Sequence, residues 1–310
     1  MPTLHLALNM DDRYLQHAVV MLTSVFVNSP GAHFVVYVLT DGLSDGVKTQ
    51  LSHFIEKDYG NECHICELSE AQAHLFPEYV NSHISLAANY RLFLSEFLPE
   101  DVHKVLYLDC DLVVEESVES LFTLNMDVAP VAAVEDMFSG KSEVYERLGY
   151  PYEEGYFNSG VLLVNLDAWR SRKLSLKFVE FAQSHDNLVF YDQDTLNGVL
   201  HGQWLALPPR WNVQDGFLRR HCHVREEKME MVRAEAVHPA IVHYTGHRKP
   251  WLYDHLNPYA NRYYHYLDMT SWKGWRPEVP AAYRRRQALY QVLYAIHLKP
   301  KRYDARYKPF

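Results

Sequence analysis

The stretch Lys104-Val105-Leu106-Tyr107-Leu108-Asp109-Cys110-Asp111-Leu112-Val113-Val114 decides what fold we expect for this chain. It is a run of apolar and β-branched residues that is interrupted by two carboxylates one residue apart. An apolar run bounded by charge predicts a strand buried on both faces, as in a largely parallel sheet. Asp109 and Asp111 then lie at the carboxyl end of that strand, where open α/β sheets bind their ligands.

The spacing of Asp109 and Asp111 predicts a bound cation. Two neighbouring carboxylates repel each other, and burying them costs free energy unless a cation or hydrogen-bond donors compensate. A hard divalent ion such as Mg²⁺ or Mn²⁺, shared with substrate phosphates, fits these oxygen ligands. The alternative is an ordinary strand end with both aspartates solvated in a turn, because the Asp-x-Asp pattern alone is a weak signal.

The composition excludes several classes of protein. The 310 residues carry a formal net charge of -9, so there is no basic excess to displace counterions from nucleic acid. No apolar run reaches the ~20 residues that span a bilayer, and the N-terminal residues lack the pattern of a secretory signal. The four cysteines indicate a reducing compartment and no disulfide scaffold. We therefore expect a cytoplasmic protein that does not bind nucleic acid.

Strand and helix patterns alternate from the N-terminus. Strands are predicted over 4–8, 33–39 and 63–68, and helices over 15–26, 44–56 and 85–98. This alternation is typical of a doubly wound sheet. No G-x-G-x-x-G follows the first strand, so the dinucleotide fingerprint is absent. Cys63 and Cys66 have the spacing of a redox or zinc fragment, but within a strand they would face opposite ways.

Polar residues also lie at the ends of later predicted strands. Asp136 follows a buried strand predicted over 128–134, and His243 lies in a strand predicted over 240–244. A second strand that ends in acid, so close behind the first, favours a site at this edge of the sheet. The alternative role for His243 is that of a core histidine whose ring nitrogens are hydrogen-bonded.

A further polar segment precedes a strand predicted over 161–166. Asn158 and Gly160 in this segment suit a close approach of the backbone to a ligand. Asp192 lies at the start of another predicted helix. Capping of that helix is its alternative role.

Six short motifs follow one another along the chain. They are Asp11-x-x-Tyr14, His83-Ile84-Ser85 with Arg91, Tyr107-Leu108-Asp109-Cys110-Asp111, Phe157-Asn158-Ser159-Gly160-Val161, Asp192-Gln193-Asp194 and His243-Tyr244-x-Gly246-x-x-Lys249-Pro250-Trp251. In this order they resemble glycosyltransferase family 8, specifically the bacterial lipopolysaccharide galactosyl- and glucosyltransferases, with glycogenin as a more distant relative. The resemblance covers about residues 4 to 255.

The resemblance implies both a fold and an activity. The fold is an α/β domain of the GT-A type over 1–255, with a single doubly wound, mostly parallel sheet, followed by a small helical region over 256–310. The activity is retaining transfer of a hexose, galactose or glucose, from a UDP-sugar donor to a glycan or lipid-linked oligosaccharide acceptor of the lipopolysaccharide type. Mn²⁺ is the implied cofactor, and Mg²⁺ is the alternative ion.

The resemblance also implies roles for individual residues. The metal ligands would be Asp109, Asp111 and His243, and two hard oxygens with an imidazole do suit Mn²⁺. Asp11 and Tyr14 would form the uracil pocket, and Gly246 and Lys249 would grip the diphosphate, with Lys249 acting as a point charge. The other implied donor-binding residues are His83, Arg91, Cys110 and Asn158.

Catalysis is implied for Gln193, Asp192 and Asp136. Gln193 and Asp192 would lie beneath the reacting carbon of the donor. The amide oxygen of Gln193 carries no charge and is a poor nucleophile, which makes a double displacement through it doubtful. A same-face departure and attack, with Gln193 stabilising positive charge on the anomeric carbon, is at least as consistent with the sequence.

Two other functions compete with the transferase. One is a nucleotide-sugar-binding partner protein that has lost turnover, and the presence of every motif position disfavours it. The other is a sugar nucleotidyltransferase, which would show a glycine-rich N-terminal loop that this chain lacks.

The C-terminal residues differ in charge from the acidic remainder of the chain. From residue 283 onward aromatic and aliphatic residues are interleaved with Arg284, Arg285, Arg286, Lys299, Lys301, Arg302, Arg306 and Lys308. Such a segment suits the headgroup region of an anionic membrane. We expect peripheral association with the inner face of the cell membrane. The alternative is a helix that packs on the catalytic domain with its charges solvated.

Overall fold

Two β-sheets organise the chain in the computed structural model, which describes residues 1–69, 75 and 86–307, with 86–88 described by their backbone. The strands are β1 (Thr3–Asn9), β2 (His33–Thr40), β3 (Glu62–Glu67), β4 (Lys104–Leu108), β5 (Leu112–Val114), β6 (Val131–Glu135), β7 (Phe157–Asn165), β8 (Leu205–Ala206), β9 (Val213–Gln214) and β10 (Ile241–His243). The larger sheet has seven strands in the order β3-β2-β1-β4-β7-β6-β8, and the smaller has three in the order β5-β10-β9.

The pairing confirms the predicted doubly wound, mostly parallel sheet. β1 runs parallel to β2 and β4, β2 runs parallel to β3, and β6 runs parallel to β8. Only β7 is antiparallel to its neighbours β4 and β6 among the described strands of this sheet. The carboxyl ends of β1, β4 and β6 therefore point toward one edge, where polar residues follow them.

Helices cover both faces of the larger sheet. They are α1 (Leu15–Asn28), α2 (Asp45–His53), α3 (Leu94–Phe97), α4 (Glu119–Phe122), α5 (Ser142–Leu148), α6 (Leu166–Ser171), α7 (Leu174–Ser184), α8 (Tyr191–Leu200), α9 (Met229–Glu235), α10 (Ala260–Leu267) and α11 (Ala281–Ala295). No helix among the described residues is long and apolar enough to cross a bilayer.

The helix predicted over 85–98 is present among the described residues, but most of it is not an α-helix. The chain there forms a 3₁₀ helix, Leu86–Phe93, and only the last turn, Leu94–Phe97, is α-helical. Every residue from 89 to 94 is buried, so this part of the segment has no solvent face. Tertiary packing on all sides, rather than an amphipathic period, therefore decides its conformation.

Side chains alternate between two cores, one on each face of the larger sheet. Leu106 and Leu108 of β4 belong to the core that includes α1, whereas Val105 and Tyr107 belong to the core on the other face. Cys63 and Cys66 pack against these two opposite cores, as expected for a strand. They therefore do not form a common redox or metal site.

The apolar stretch that predicted the fold spans two sheets rather than one. β4 ends at Leu108, the chain turns through Asp109-Cys110-Asp111, and β5 then joins the smaller sheet. β5 pairs there with β10, which places Leu112 directly opposite His243. The two aspartates thus lie in the turn between the sheets, and the histidine lies beside them.

The C-terminal residues return to the body of the protein, although α11 itself buries none of its residues. α10 packs on α1, and its Tyr263 and Tyr266 are buried in the core. After α11 the chain forms an isolated bridge between Arg219 and Tyr303, and Tyr307 is buried against the core. We call residues 302–307 the C-terminal strap. The predicted helical region is confirmed, and the domain division at residue 255 stays a prediction.

Candidate active site

Asp109, Asp111 and His243 come together as the sequence predicts. Each offers one ligand atom, and these atoms all lie within 4.8 Å of one another. Nε2 of His243 is 3.8 Å from Oδ2 of Asp109 and 3.2 Å from Oδ1 of Asp111. His243 is buried and the two aspartates are partly buried, so the cluster is partly accessible to solvent at the sheet edge.

Gly160 on the neighbouring strand β7 makes room for this cluster. Its carbonyl accepts a 2.9 Å hydrogen bond from the amide of Asp109. A Cβ added at Gly160 would lie 2.6 Å from Oδ2 of Asp109 and would overlap the imidazole ring of His243. A residue with a side chain would therefore displace the candidate ligands, whereas the predicted approach of a bound ligand to the backbone of Gly160 stays a prediction.

The residues present fit a hard divalent cation. Among the described residues Oδ1 of Asp111 is buried and accepts no hydrogen bond, although Nε2 of His243 is near. Burial alone would raise the pKa of Asp111, but the charges of Lys249 and His243 outweigh it and hold that pKa well below its usual range. The carboxylate is therefore ionised, with one oxygen available as a ligand. Two carboxylates and an imidazole are a donor set suited to Mn²⁺.

Lys249 supplies positive charge beside this cluster. Its ammonium donates to Oδ2 of Asp111 and, at 2.7 Å, to the carbonyl of Tyr244. Gly246, in the loop between them, has a φ of +82°, a conformation that an L side chain rarely adopts. The loop thus turns tightly enough to present a cation next to the candidate metal ligands.

Arg91 connects the metal ligands to the predicted catalytic residues. Its guanidinium lies 2.9 Å from Oδ1 of Asp109 and 3.3 Å from Oδ2 of Asp192. It also donates a 2.7 Å hydrogen bond to the carbonyl of Ser159 and lies over the ring of Tyr107. Burial raises the pKa of Asp192 in spite of the attraction of Arg91, because the neighbouring charge of Asp109 acts in the same direction as burial.

Asp136, Asn158 and Gln193 form a buried hydrogen-bonded group. Nδ2 of Asn158 donates 3.0 Å hydrogen bonds to Oδ2 of Asp136 and to Oε1 of Gln193. Oε1 of Gln193 also accepts from the amide of Ser159 at 3.1 Å. Burial raises the pKa of Asp136, partly offset by the hydrogen bond from Asn158. Three predicted site residues thus share one network.

The predicted uracil pocket lies at the end of β1. Asp11 caps the 3₁₀ helix Asp12–Tyr14 and forms an ion pair with Arg13. The ring of Tyr14 stands edge-on to Trp251, with ring centroids 6.3 Å apart, and is half exposed. A partly exposed tyrosine ring is suited to stacking with a planar base.

Two other residues predicted to bind the donor are Cys110 and His83. The thiol of Cys110 points into the core and donates to the carbonyl of Asn9, so a donor contact from Cys110 would come from its backbone. His83 lies outside the described residues.

Asn212 is a residue that the sequence reasoning missed. It is completely buried, 3.0 Å from Nδ1 of His243 and 2.8 Å from Oδ1 of Asn158. It lies in a segment where the strand and helix patterns loosen, and no spacing marks it. Only the pairing of β9 with β10 brings it to the site.

Comparison with known proteins assigns the chain to a family. The family described as glycosyl transferase family 8 matches residues 5–255. General stress protein A of Bacillus subtilis is 32% identical over 278 residues, which cover 87% of this chain and 94% of that protein. The lipopolysaccharide 1,2-glucosyltransferase of Escherichia coli is 28% identical over 278 residues, covering 88% and 80% of the two chains.

A solved structure shows the same fold. The galactosyltransferase LgtC, crystallised with donor and acceptor sugar analogs, superposes with a TM-score of 0.76 at 27% identity, over 91% of this chain and 100% of LgtC. The fold, the ordered motifs and the family match agree. This chain therefore belongs to glycosyltransferase family 8.

Proposed function

We propose that this glycosyltransferase transfers a hexose from a UDP-hexose to its acceptor. The transfer retains the anomeric configuration and requires Mn²⁺. The observation that carries the proposal is the cluster of Asp109, Asp111 and His243 beside Lys249. It combines a hard donor set, a carboxylate oxygen that accepts no hydrogen bond and lies 3.2 Å from Nε2 of His243, and a lysine at the place where a diphosphate would bind. When bound there, the ion would neutralise the charge that develops on the departing UDP.

The residues of the chain divide the remaining work. Lys249 is a point charge for the diphosphate, and the turn at Gly246 brings its loop to the site. Asp11 and Tyr14 receive the uracil. Arg91 holds Asp109 and Asp192 at fixed positions, so that the metal ligands and the sugar-binding residues keep one geometry.

Gln193 and Asp192 are proposed to face the anomeric carbon. Oε1 of Gln193 already accepts two hydrogen bonds, from Asn158 and from the amide of Ser159. An oxygen that is engaged in this way, and uncharged, is poorly suited to attack carbon. We therefore favour same-face departure and attack, in which Gln193 stabilises positive charge at the anomeric carbon. LgtC has also been solved as an active-site mutant with glutamate in place of a glutamine.

We infer the donor sugar and the acceptor from the names of the relatives. These include the lipopolysaccharide 1,2-glucosyltransferase of Escherichia coli and the lipopolysaccharide 1,3-galactosyltransferase of Salmonella typhimurium, which is 26% identical over 255 residues. We propose glucose or galactose as the hexose and a glycan or lipid-linked oligosaccharide as the acceptor. A lipid-linked acceptor agrees with a peripheral membrane contact through α11, whose apolar residues Leu289 and Val292 are exposed, as is Ile296 directly after it.

One experiment tests the function directly. The protein is incubated with Mn²⁺ and a panel of UDP-sugars, and slow hydrolysis of each is recorded without acceptor. We expect hydrolysis of a UDP-hexose that stops when the metal is chelated. Binding without hydrolysis of any sugar in the panel would instead favour an inactive nucleotide-sugar-binding partner protein.

A further inference from the structure

Asn212 lies between the candidate metal site and the sugar-binding residues. It ends the 3₁₀ helix Pro209–Asn212 and directly precedes β9, whose Gln214 pairs with His243 in the smaller sheet. Its side chain is completely buried, and both ends of the amide have a partner. Because each neighbour is fixed by a strand, the amide cannot leave this position without breaking hydrogen bonds on both sides.

The orientation of this amide follows from backbone groups of known polarity. The amide N–H of Gly160 can only donate, and it lies 3.1 Å from Oδ1 of Asn158. Nδ2 of Asn158 is therefore the end that reaches Asp136 and Gln193. Since Oδ1 of Asn158 is an acceptor, Asn212 must present its Nδ2 to it.

The same reasoning fixes the proton on His243. With Nδ2 of Asn212 directed to Asn158, its Oδ1 faces Nδ1 of His243 at 3.0 Å and must accept. Nδ1 of His243 then carries a proton, and Nε2 is the nitrogen that faces Asp109 and Asp111. A histidine that ligates a metal commonly donates its other N–H to such a partner, which fixes the ring and its tautomer.

We propose that Asn212 is a positioning residue that fixes His243 with Nε2 toward the metal and joins the metal site to the sugar-binding network. The inference rests on the proposed metal site and deepens it. The donors run in one direction, from His243 through Asn212 and Asn158 to Gln193. A change in the His243 ring on metal binding is thereby transmitted to the residue proposed to face the anomeric carbon.

Two substitutions at one position test the proposal, with Mn²⁺ binding followed by electron paramagnetic resonance. Asn212→Leu has a similar size but no acceptor for His243, and we expect its Mn²⁺ affinity to fall about 10- to 100-fold. Asn212→Asp keeps an acceptor there, and we expect it to bind Mn²⁺ at least as tightly as the wild type. At saturating Mn²⁺, Asn212→Leu should still hydrolyse UDP-hexose at least about tenfold more slowly, because Asn158 has lost its donor.

The outcomes separate the inference from the function on which it rests. If the wild type does not bind Mn²⁺, the proposed metal site is wrong and the inference falls with it. If the wild type binds Mn²⁺ and Asn212→Leu binds it equally well, the inference alone is wrong. A tenfold weaker Asn212→Asp also overturns it, and this variant decides the question if Asn212→Leu does not fold.

Discussion

The guanidinium of Arg91 lies 2.9 Å from the carboxylate of Asp109, and the same buried group reaches Asp192. One cation therefore compensates two carboxylates, of which one is a candidate metal ligand and the other a candidate catalytic residue. Removing a partner from a buried ion pair leaves an uncompensated charge, which costs more than the pair itself contributes.

Arg91→Met should therefore reduce both stability and activity. We expect the free energy of unfolding to fall by about 3–5 kcal/mol, because Asp109 and Asp192 lose their counter-charge. Arg91→Lys should restore part of the stability but little of the activity, since an ammonium cannot make the same forked contacts. Urea denaturation measures the change, provided that the dependence of the unfolding free energy on urea concentration has the same slope in the variant and the wild type. The control is Arg284→Met on the exposed face of α11, whose free energy of unfolding should change by no more than about 0.5 kcal/mol. Equal urea midpoints for the Arg91→Met and Arg284→Met variants would contradict the role of Arg91.

Asp111→Asn should abolish Mn²⁺-dependent UDP binding while the fold stays intact. The amide supplies no charge for the ion, and it leaves Lys249 without its carboxylate. Isothermal calorimetry with and without Mn²⁺ measures the effect, and Glu143→Gln on the surface of α5 is a control with the same loss of charge. Unchanged UDP affinity with and without metal, in both the variant and the wild type, would show that the metal site is wrongly assigned.

Gly160→Ala should remove the metal response through sterics alone. The added methyl group would displace Asp109 and His243, as the distances from an ideal Cβ require. Binding of Mn²⁺ to the folded wild type raises its melting temperature by mass action, and we expect this rise to vanish in the variant. Gly46→Ala is the matched control: it lies in α2 with no atom near its added Cβ, so it should keep the metal response and gain up to about 1 kcal/mol. If the Gly160→Ala variant shows the full rise in melting temperature with Mn²⁺, the proposed steric role of Gly160 is wrong.

The reaction should retain configuration at the transferred sugar. An α-linked donor should give an α-linked product, which proton NMR of the product distinguishes from the β anomer. Gln193→Ala should lower kcat by about 10²-fold, since it removes a group that stabilises charge in the transition state. A β-linked product from an α-linked donor would exclude the proposed mechanism, whatever the effect of the substitution.

Membrane contact through α11 should depend on its exposed residues. Truncation before Tyr283 also removes the C-terminal strap, so replacing Arg284, Arg285 and Arg286 with glutamate is the cleaner change. Each basic residue near an anionic surface contributes about 1 kcal/mol, so the triple variant should sediment much less with anionic vesicles at low salt. If the variant sediments as much as the full-length wild type, or if neither sediments, the proposed membrane contact through the basic residues of α11 is wrong.

The sequence predicted the strands of the larger sheet except β8, because the others are local apolar runs with recognisable ends. Asp109, Asp111 and His243 were predicted as metal ligands from ordered motifs, and the structure does bring them together. The break between β4 and β5 was not predicted, because an apolar run has the same pattern whether it continues one sheet or enters another. Partners of the smaller sheet are distant in the chain, and local periodicity does not encode such pairing.

The contribution of Asn212 could not be predicted for the same reason. Its role depends on which neighbours the amide meets, and these come from β7, β9 and β10. The sequence predicted a helix here but not its 3₁₀ type, because the burial of residues 89–93 on all sides erases the periodicity from which a helix type is predicted. Packing, rather than propensity, decides such segments.

The pairing of β5 with β10 has a consequence for the synthesis of this protein. A chain leaving the ribosome presents β1 to β4 first, and these can begin the larger sheet from neighbouring segments. Among the described strands, β5 has no strand partner until β10 emerges, because β10 is the strand that joins it to β9. His243 arrives with that strand. The nascent chain therefore carries its two aspartates without the histidine beside them until every described strand of the larger sheet has been made.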